Sequence, residues 1–448
     1  MNEENERREL RRKRKIRNMM ISYTVLVLFL LLLIVGAVIG ITHVRKIQQA
    51  KQAALIEKSA AEEALKLLQD QAAQKAAAQF EEEQKAQEQV ENEEAPRGNE
   101  VIALEVQSLV MSMTLEEKVA GLFLITPEEL TGVGKVVQAG PSTKEALAQY
   151  PVGGLIYSSE NVQSKDQLIE MIGNTKEFSK YPLFIGIREE GGEYSQLAGK
   201  IENLPKVENM SDIGAGGDKS KAMEAGGIIG GYLASLGFNM NLAPVADVLT
   251  DSKNTYIGKR SFGGDVSIVS QMVASQVEGM QAAGVSAALL HFPGMGGGEG
   301  DPEKGSSLVE KSLEEIKSEN LLPFLAGMEA GADFVVVANG KVPSLAEEEV
   351  PASLSLEMIQ NLLRGELGFD GIVATSPLNQ KAITSEYSSS EAAIMAIHAG
   401  ADIIMMPADF KEAYTGVLEA VNSGRITQER LNESLLRIFQ LKYKDGVG

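Results

Sequence analysis

The chain has 448 residues, a formal net charge of -20, no cysteine and three histidines. The lack of thiols excludes cysteine nucleophiles, disulfides and cysteine-ligated metals, and His43, His291 and His398 are too few for a histidine-rich metal site. Such an acidic chain repels phosphate backbones, so we expect no nucleic-acid partner.

The N-terminal segment combines a basic tail with a long apolar run. Residues 1–18 contain eight Lys or Arg against four Glu, whereas the rest of the chain contains 34 basic and 58 acidic side chains. The run from Met19 to Ile41 has no charged residue. A helix of that length, at about 1.5 Å per residue, crosses a hydrocarbon core of about 30 Å. A cleaved signal peptide is the alternative, but its apolar region is shorter and ends at a small-residue cleavage site.

We therefore predict a single-pass protein of the cell membrane, with a tail over 1–18 and a transmembrane helix over 19–43. Basic residues beside the first span stay in the cytoplasm, which places the tail inside and all later residues outside. Residues 44–99 are rich in Ala, Glu, Gln and Lys and contain no Gly or Pro before Pro96. This composition predicts a helical stalk, either a solvated spacer or a weak coiled coil that would form a homodimer.

Residues 100–448 alternate short apolar runs with amphipathic stretches such as 220–236 and 356–367, the pattern of parallel strands joined by helices. Seven or eight such units fit a (β/α)8 barrel of the TIM type, although a doubly wound open sheet has the same local pattern. The strand candidates are 154–157, 183–187, 240–245, 285–291, 334–338, 372–375 and 403–406.

Polar residues follow most of these runs, and in a barrel they would converge on the face where the strands end. For any single position the alternative explanation is that strand ends meet water, which by itself favours polar residues there. The set consists of Arg188, Glu189, Glu190, Asp247, His291, Asn339 and Ser376.

Two loops are more specific. The glycine-rich loop 291–301 suits close approach of a ligand or a mobile lid, but it lacks the lysine-bearing motif of a phosphate-binding loop. Arg260 follows the 240–245 run, where it could bind a hydroxyl-rich or anionic group or could form a structural salt bridge with Asp247.

Eight ordered motifs resemble those of the family 3 glycoside hydrolase N-terminal domain, and in particular of bacterial β-N-acetylhexosaminidases. The resemblance spans residues 105–445 and implies a (β/α)8-like barrel, specificity for N-acetylglucosaminides such as peptidoglycan fragments, and no metal or cofactor. The motifs are MTLEEKVAGLF (113–123), IREEGGEYSQL (187–197), NLAPVADV (241–248), IGKRSFG (257–263), HFPGMGGGEGD (291–301), PASLS (351–355), LLRGELGFDGIV (362–373) and AIHAGADIIMMP (396–407).

Carried over position by position, the resemblance implies altered catalysis. Ser376 stands where the family has its nucleophilic Asp, and an unactivated hydroxyl cannot supply the charge that retaining hydrolysis requires. The family's acid/base His is here Glu303, beside the retained Asp301, and we expect general acid work from Glu303 only if it is buried. Arg188 replaces a sugar-binding Asp and Leu290 replaces a Lys.

Several other family positions bear on substrate binding. Arg260 and His291 match the family, whereas Met295 and Glu193 replace a His and an Arg. Glu190, Asp247, Arg260 and His291, with the altered Arg188 and Leu290, are the expected substrate-binding residues.

Two hypotheses follow. The first is a non-catalytic glycan-binding or scaffold domain at the cell wall, a pseudoenzyme. The second is an active β-N-acetylhexosaminidase-type O-glycosyl hydrolase with Asp301 or Glu303 as acid and a water activated by Glu190. An inverting reaction of that kind requires carboxyl groups about 6.5–9.5 Å apart.

Overall fold

The structure is a computed structural model that describes Met20 and residues 98–345 and 350–444. The predicted tail, membrane span and stalk therefore lie outside the described residues, apart from Met20 and residues 98–99, and they stay predictions. No helix in the described part of the chain is both long and apolar enough to cross a membrane. Residues 94–448 form one compact unit, which is the unit described below.

Eight parallel strands form the centre of this unit. Strands β1 to β5, β8, β9 and β10 are neighbours in chain order, and β10 returns to pair with β1. The strands are β1 (Phe123–Ile125), β2 (Gly154–Tyr157), β3 (Phe184–Ile187), β4 (Met240–Asn241), β5 (Ser286–Phe292), β8 (Phe334–Val337), β9 (Ile372–Thr375) and β10 (Ile404–Met405), with a separate hairpin of β6 (Glu299–Gly300) and β7 (Ser307–Leu308).

The sheet closes between β9 and β10 through a parallel bridge of Ala374 with Ile403. The amide of Thr375 donates to the carbonyl of Ile403 at 3.0 Å, which ties the last two strands together. The predicted (β/α)8 architecture is thus confirmed, and the doubly wound alternative is wrong. Every strand end of the same polarity consequently meets on one face of the barrel.

Six of the seven predicted strands agree with the structure to within one residue at each end. The candidate 240–245 does not, and strands β1, β6 and β7 were not predicted. Strand β1 was missed because only a short apolar run, Leu122 to Ile125, separates the helix that ends at Gly121 from the helix that begins at Pro127. The candidate 240–245 is correct only for its first two residues, since Pro244 has no amide hydrogen to donate to a ladder. Beyond it, pairing resumes with a bridge of Val245 to Leu290.

Helices surround the barrel, and many begin with a capping box in which Ser or Thr exchanges hydrogen bonds with Glu or Gln three residues later. The predicted helices 220–236 and 356–367 are present, the second as a π-helix, Glu357–Glu366. The α-helices are α1 (Gly98–Ser112), α2 (Leu115–Gly121), α3 (Pro127–Thr131), α4 (Pro141–Gln149), α5 (Lys165–Phe178), α6 (Met210–Gly216), α7 (Lys219–Leu236), α8 (Val266–Ala282), α9 (Leu313–Glu315), α10 (Leu321–Glu329), α11 (Lys381–Thr384), α12 (Ser389–Ala399), α13 (Phe410–Asn422) and α14 (Gln428–Lys442).

One buried carboxylate braces the closing seam. Asp402, which is fully buried, accepts the amide hydrogen of Val373 in β9 at 3.0 Å and lies two residues before β10. Its oxygens are 2.5 Å from Arg364 and 3.1 Å from Arg437, and Arg430 lies 4.0 Å away. Three guanidinium groups offset the cost of burying one carboxylate, so the seam depends on this charge cluster.

We predict that Asp402→Asn lowers the free energy of unfolding by about 3–5 kcal/mol, because it leaves the arginines without their buried counter-charge. Asp370→Asn is the matched control, since Asp370 is exposed near Arg364, and it should shift that free energy by no more than about 0.5 kcal/mol. Urea titration of the three proteins measures both values. Equal stability of Asp402→Asn and the native chain would contradict a structural role for the cluster.

Candidate active site

The polar residues predicted at the strand ends lie together at the carboxyl end of the barrel. Glu190 follows β3, Asp247 follows β4, His291 lies within β5 and Ser376 directly follows β9. All four are buried, with at most 5% of each residue exposed. A chain of contacts links most of the set, as described next.

Arg260 and Glu190 form a buried ion pair with two parallel hydrogen bonds. The Nε and Nη2 groups of Arg260 each lie 2.7 Å from a Glu190 oxygen, and both side chains are no more than 3% exposed. Arg260 also donates to the carbonyl of Tyr256 at 3.2 Å and lies 5.2 Å from the Tyr256 ring. The carboxylate of Glu190 is therefore held in one orientation, and its negative charge is offset by the guanidinium of Arg260.

The sequence left open whether Arg260 would bind a ligand or brace Asp247. It braces Glu190 instead, while Asp247 is paired with His291, whose Nδ1 lies 2.7 Å from Asp247 Oδ2. Asp247 also accepts the amide hydrogens of His291 and Met295. Both acidic residues at the mouth of the barrel are thus engaged by basic partners.

The contacts of His291 favour one tautomer of its ring. Its Nε2 lies 3.4 Å from Arg260 Nη2, and a guanidinium can only donate. This contact is a hydrogen bond only when Nε2 accepts, which places the ring proton on Nδ1, 2.7 Å from Asp247. In this state His291 has no proton to give to a ligand at Nε2.

Ser376 differs from these residues because its hydroxyl has no partner. The Oγ atom is buried and makes no hydrogen bond, although the amide of Ser376 donates to the carbonyl of Val337 at 2.8 Å. A buried hydroxyl without a partner costs about 1–3 kcal/mol. Ser376 Oγ therefore needs a hydrogen bond that a ligand or a water molecule would supply.

The two candidate general acids, Asp301 and Glu303, lie in the turn of the β6–β7 hairpin. Asp301 accepts the amide hydrogen of Glu303 at 3.0 Å and pairs with the exposed Lys304 at 2.8 Å. Glu303 is exposed, so the burial that its acid role requires is not found. It is still close enough to the site to act electrostatically on Tyr256.

The two altered binding positions differ in exposure. Arg188 keeps 40% of its side chain exposed, with its Nε 3.9 Å from a Glu190 oxygen. Leu290 is buried within the hydrophobic core and offers no polar side-chain group. Arg188 can therefore reach a ligand at the mouth, whereas Leu290 cannot replace the hydrogen bonds of a lysine.

Sequence reasoning missed residues that hold the site together. Tyr256 contacts His291 through its hydroxyl at 3.4 Å, and Gln380 accepts a hydrogen bond from Asn339 at 2.9 Å. Glu189, predicted only as a strand-end residue, is fully buried. Burial raises the pKa of Glu189, which accepts hydrogen bonds from Tyr232 and two loop amides. In the sequence, the available signal for the role of Tyr256 was its position four residues before Arg260.

Comparison with known proteins identifies this arrangement. Residues 114–441 match the model of the glycosyl hydrolase family 3 N-terminal domain. The chain belongs to glycosyl hydrolase family 3. The resemblance drawn from the eight motifs is thereby confirmed.

Relatives within family 3 carry hexosaminidase names. A beta-hexosaminidase A of Pseudoalteromonas piscicida is 33% identical over 332 residues, which are 68% of this chain and 55% of that protein. A beta-hexosaminidase of Stenotrophomonas maltophilia is 30% identical, over 59% of this chain and 78% of that one. The solved family 3 β-N-acetylglucosaminidase of a Paenibacillus strain is 34% identical with a TM-score of 0.70, over 75% and 64% of the two chains. The chain thus spans only about half to two thirds of the first and third of these proteins.

We predict that the Arg260–Glu190 pair is worth far more to this family 3 domain than the ion pair next to it. Arg260→Met should lower the free energy of unfolding by about 3–5 kcal/mol, because it removes both hydrogen bonds from the buried Glu190 and leaves it only the half-exposed Arg188, 3.9 Å away. Lys259→Met is the control, because the Lys259–Glu193 pair is more than half exposed and its loss should leave the free energy of unfolding nearly unchanged. Denaturant titration gives both values.

The double variant Arg260→Met with Glu190→Gln completes a mutant cycle. We expect it to be less destabilised than the sum of the single variants, with a coupling of about 0.5–3 kcal/mol. Strictly additive effects would mean that the two side chains do not depend on each other.

Proposed function

We propose that this family 3 domain binds an N-acetylglucosamine-type glycan, such as a peptidoglycan fragment, without hydrolysing it. The observation that carries the proposal is Ser376, a buried hydroxyl without a partner at the position of the family's nucleophile. Retaining hydrolysis requires a carboxylate about 5–5.5 Å from the acid/base group, to trap the oxocarbenium-like centre. A neutral serine with no adjacent base does not supply that charge.

The other acidic residues at the mouth support the same proposal. Glu190 is held by both of its oxygens on Arg260, and Asp247 is held by His291 and two backbone amides. Neither carboxylate can move to the position of Ser376 without breaking buried ion pairs. Arg188, whose side chain is 40% exposed, can still contact a sugar, and the buried Ser376 hydroxyl has hydrogen-bonding capacity left.

We further propose that the domain lies outside the cell, attached through residues 19–43 and separated from the membrane by the stalk 44–99. The basis is the uncharged run from Met19 to Ile41 and the preceding basic tail. An outward-facing domain at the end of a spacer would have access to cell-wall glycans.

Hydrolysis of β-N-acetylhexosaminides is the second candidate, and the names of the relatives favour it. It would require an unusual pair of groups, with Asp301 or Glu303 as acid and Glu190 as base. Two observations speak against that pair. Glu303 is exposed, and Glu190 is fully engaged by Arg260.

An assay of the full-length protein with an aryl β-N-acetylglucosaminide separates the two candidates. We expect no turnover by the native protein and measurable turnover by Ser376→Asp, which returns a carboxylate to the vacated position. Ser376→Asn is the matched control, because it has the same shape without the charge. The rate of Ser376→Asp should exceed that of Ser376→Asn by about tenfold or more, which is about 1.4 kcal/mol of barrier.

Turnover by the native protein that Glu303→Gln abolishes would contradict the non-catalytic proposal and favour the second candidate. Saturable binding of an N-acetylglucosamine oligomer, measured by calorimetry, is the independent test of glycan binding. Absence of such binding in both the native protein and Ser376→Asn would contradict that part of the proposal.

A further inference from the structure

A cavity of about 690 Å³ lies at the end of the barrel opposite the candidate active site. Its wall includes Phe184 and Ser286 at the starts of β3 and β5, and Asn239 and Asp333 directly before β4 and β8. Parallel strands all begin on the same face, so the barrel core separates this cavity from the site at the strand ends. The volume falls within the range of small-molecule sites, about 300–1,000 Å³.

The cavity is basic although the chain is strongly acidic. Four lysines line it, against the single carboxylate of Asp333. Two of the lysines are matched, because Lys444 lies 3.4 Å from Asp333 and Lys180 pairs with Glu117. The other two, Lys176 and Lys442, form no ion pair with any acidic residue in the described part of the chain, so two amines that can carry a positive charge line the cavity without an acidic partner there.

Lys442 is the most constrained of these amines. Its Nζ donates to the carbonyl of Gly153 at 2.7 Å and lies 4.8 Å and 5.1 Å from the centres of the Phe184 and Phe439 rings. Burial lowers the pKa of Lys442 to about 7. An amine in such surroundings loses hydration that the protein does not fully replace.

The hydrogen bond to Gly153 does not by itself explain why a lysine is there. The amide of Phe184 already donates to that same carbonyl at 3.1 Å, so the backbone group is satisfied without the side chain. Lys176 Nζ donates to the carbonyl of Gly237 at 2.7 Å and makes no other hydrogen bond within the described residues. Each ammonium group keeps two further hydrogens for another acceptor.

We propose that this cavity binds a small organic anion, a carboxylate or a phosphate ester, whose charged group is held by Lys442 and Lys176. Aromatic side chains on the wall would contact an apolar or ring portion of the same molecule, since Phe184, Tyr181 and Tyr443 line the cavity. This site is separate from the proposed glycan site and does not depend on it.

Binding of an anion should be coupled to proton uptake. A negative charge beside Lys442 favours its ammonium form, so the site gains a proton when it is loaded above pH 7, and its affinity falls as the pH rises further. Burial raises the pKa of Tyr181 and of Tyr443, which therefore stay neutral in this range. The other titratable groups lining the cavity are Lys176, Lys180, Asp333 and Lys444.

Calorimetric titration of the full-length protein tests the proposal, with phenyl phosphate and benzoate as anionic probes and benzyl alcohol as the neutral probe. We expect saturable binding of an anionic probe, a heat that varies with the ionisation enthalpy of the buffer, and no binding of the alcohol. The better-bound anion identifies whether the site prefers phosphate or carboxylate.

Lys442→Met and Lys176→Met should each weaken that binding by about tenfold or more, since each removes one charged hydrogen bond. Lys165→Met, at an exposed helix start away from the cavity, should leave it unchanged. Thermal unfolding of each variant establishes that it is folded. Equal affinity of native, Lys442→Met and Lys176→Met proteins, or no anion binding at all, would overturn the proposal. The result is independent of glycan binding, because the mouth residues are unchanged.

Discussion

The geometry of the barrel mouth depends on one interaction, the two-bond ion pair between Arg260 and Glu190. A guanidinium that donates two parallel hydrogen bonds to one carboxylate is held in a single orientation. The other contacts of Arg260 are with the carbonyl of Tyr256 and with Nε2 of His291, which accepts in that contact. His291 in turn directs its Nδ1 proton to Asp247, which accepts hydrogen bonds from the start of the glycine-rich loop. A single buried pair therefore sets the orientation of three loops that follow three different strands.

In that network the buried charges at the mouth are already paired, and this pairing is one basis for the proposal of binding without hydrolysis. Every buried acid in it has a basic or amide partner, whereas the serine after β9 has none. A fold can keep such a network because it contributes to stability, independently of whether a nucleophile is present. We therefore propose binding without hydrolysis, because the buried ion pairs are present whereas a serine occupies the position of the nucleophile.

Much of the fold could be predicted because parallel strands buried on both sides give continuous apolar runs, such as 154–157 and 372–375. Three-residue β1 could not be found this way, and Pro244 ended a run that periodicity alone extended to residue 245. Strand-end positions of Glu190, Asp247 and His291 followed from the barrel itself. Their pairing did not, because whether Arg260 contacts Asp247 or Glu190 depends on loop paths. The exposure of Glu303 and the cavity beside Lys442 likewise depend on side-chain packing, which no spacing in the sequence encodes.

Binding without hydrolysis requires that no nucleophile at the position of Ser376 forms a covalent bond with a sugar. Intact-mass spectrometry after incubation with a slowly turned over, fluorinated N-acetylglucosaminyl donor tests it most directly, because a retaining enzyme accumulates a glycosyl-enzyme adduct. We predict an unmodified mass for the native protein. A stable mass increase of one N-acetylglucosaminyl group on the native chain, located to any carboxylate at the barrel mouth, would contradict it.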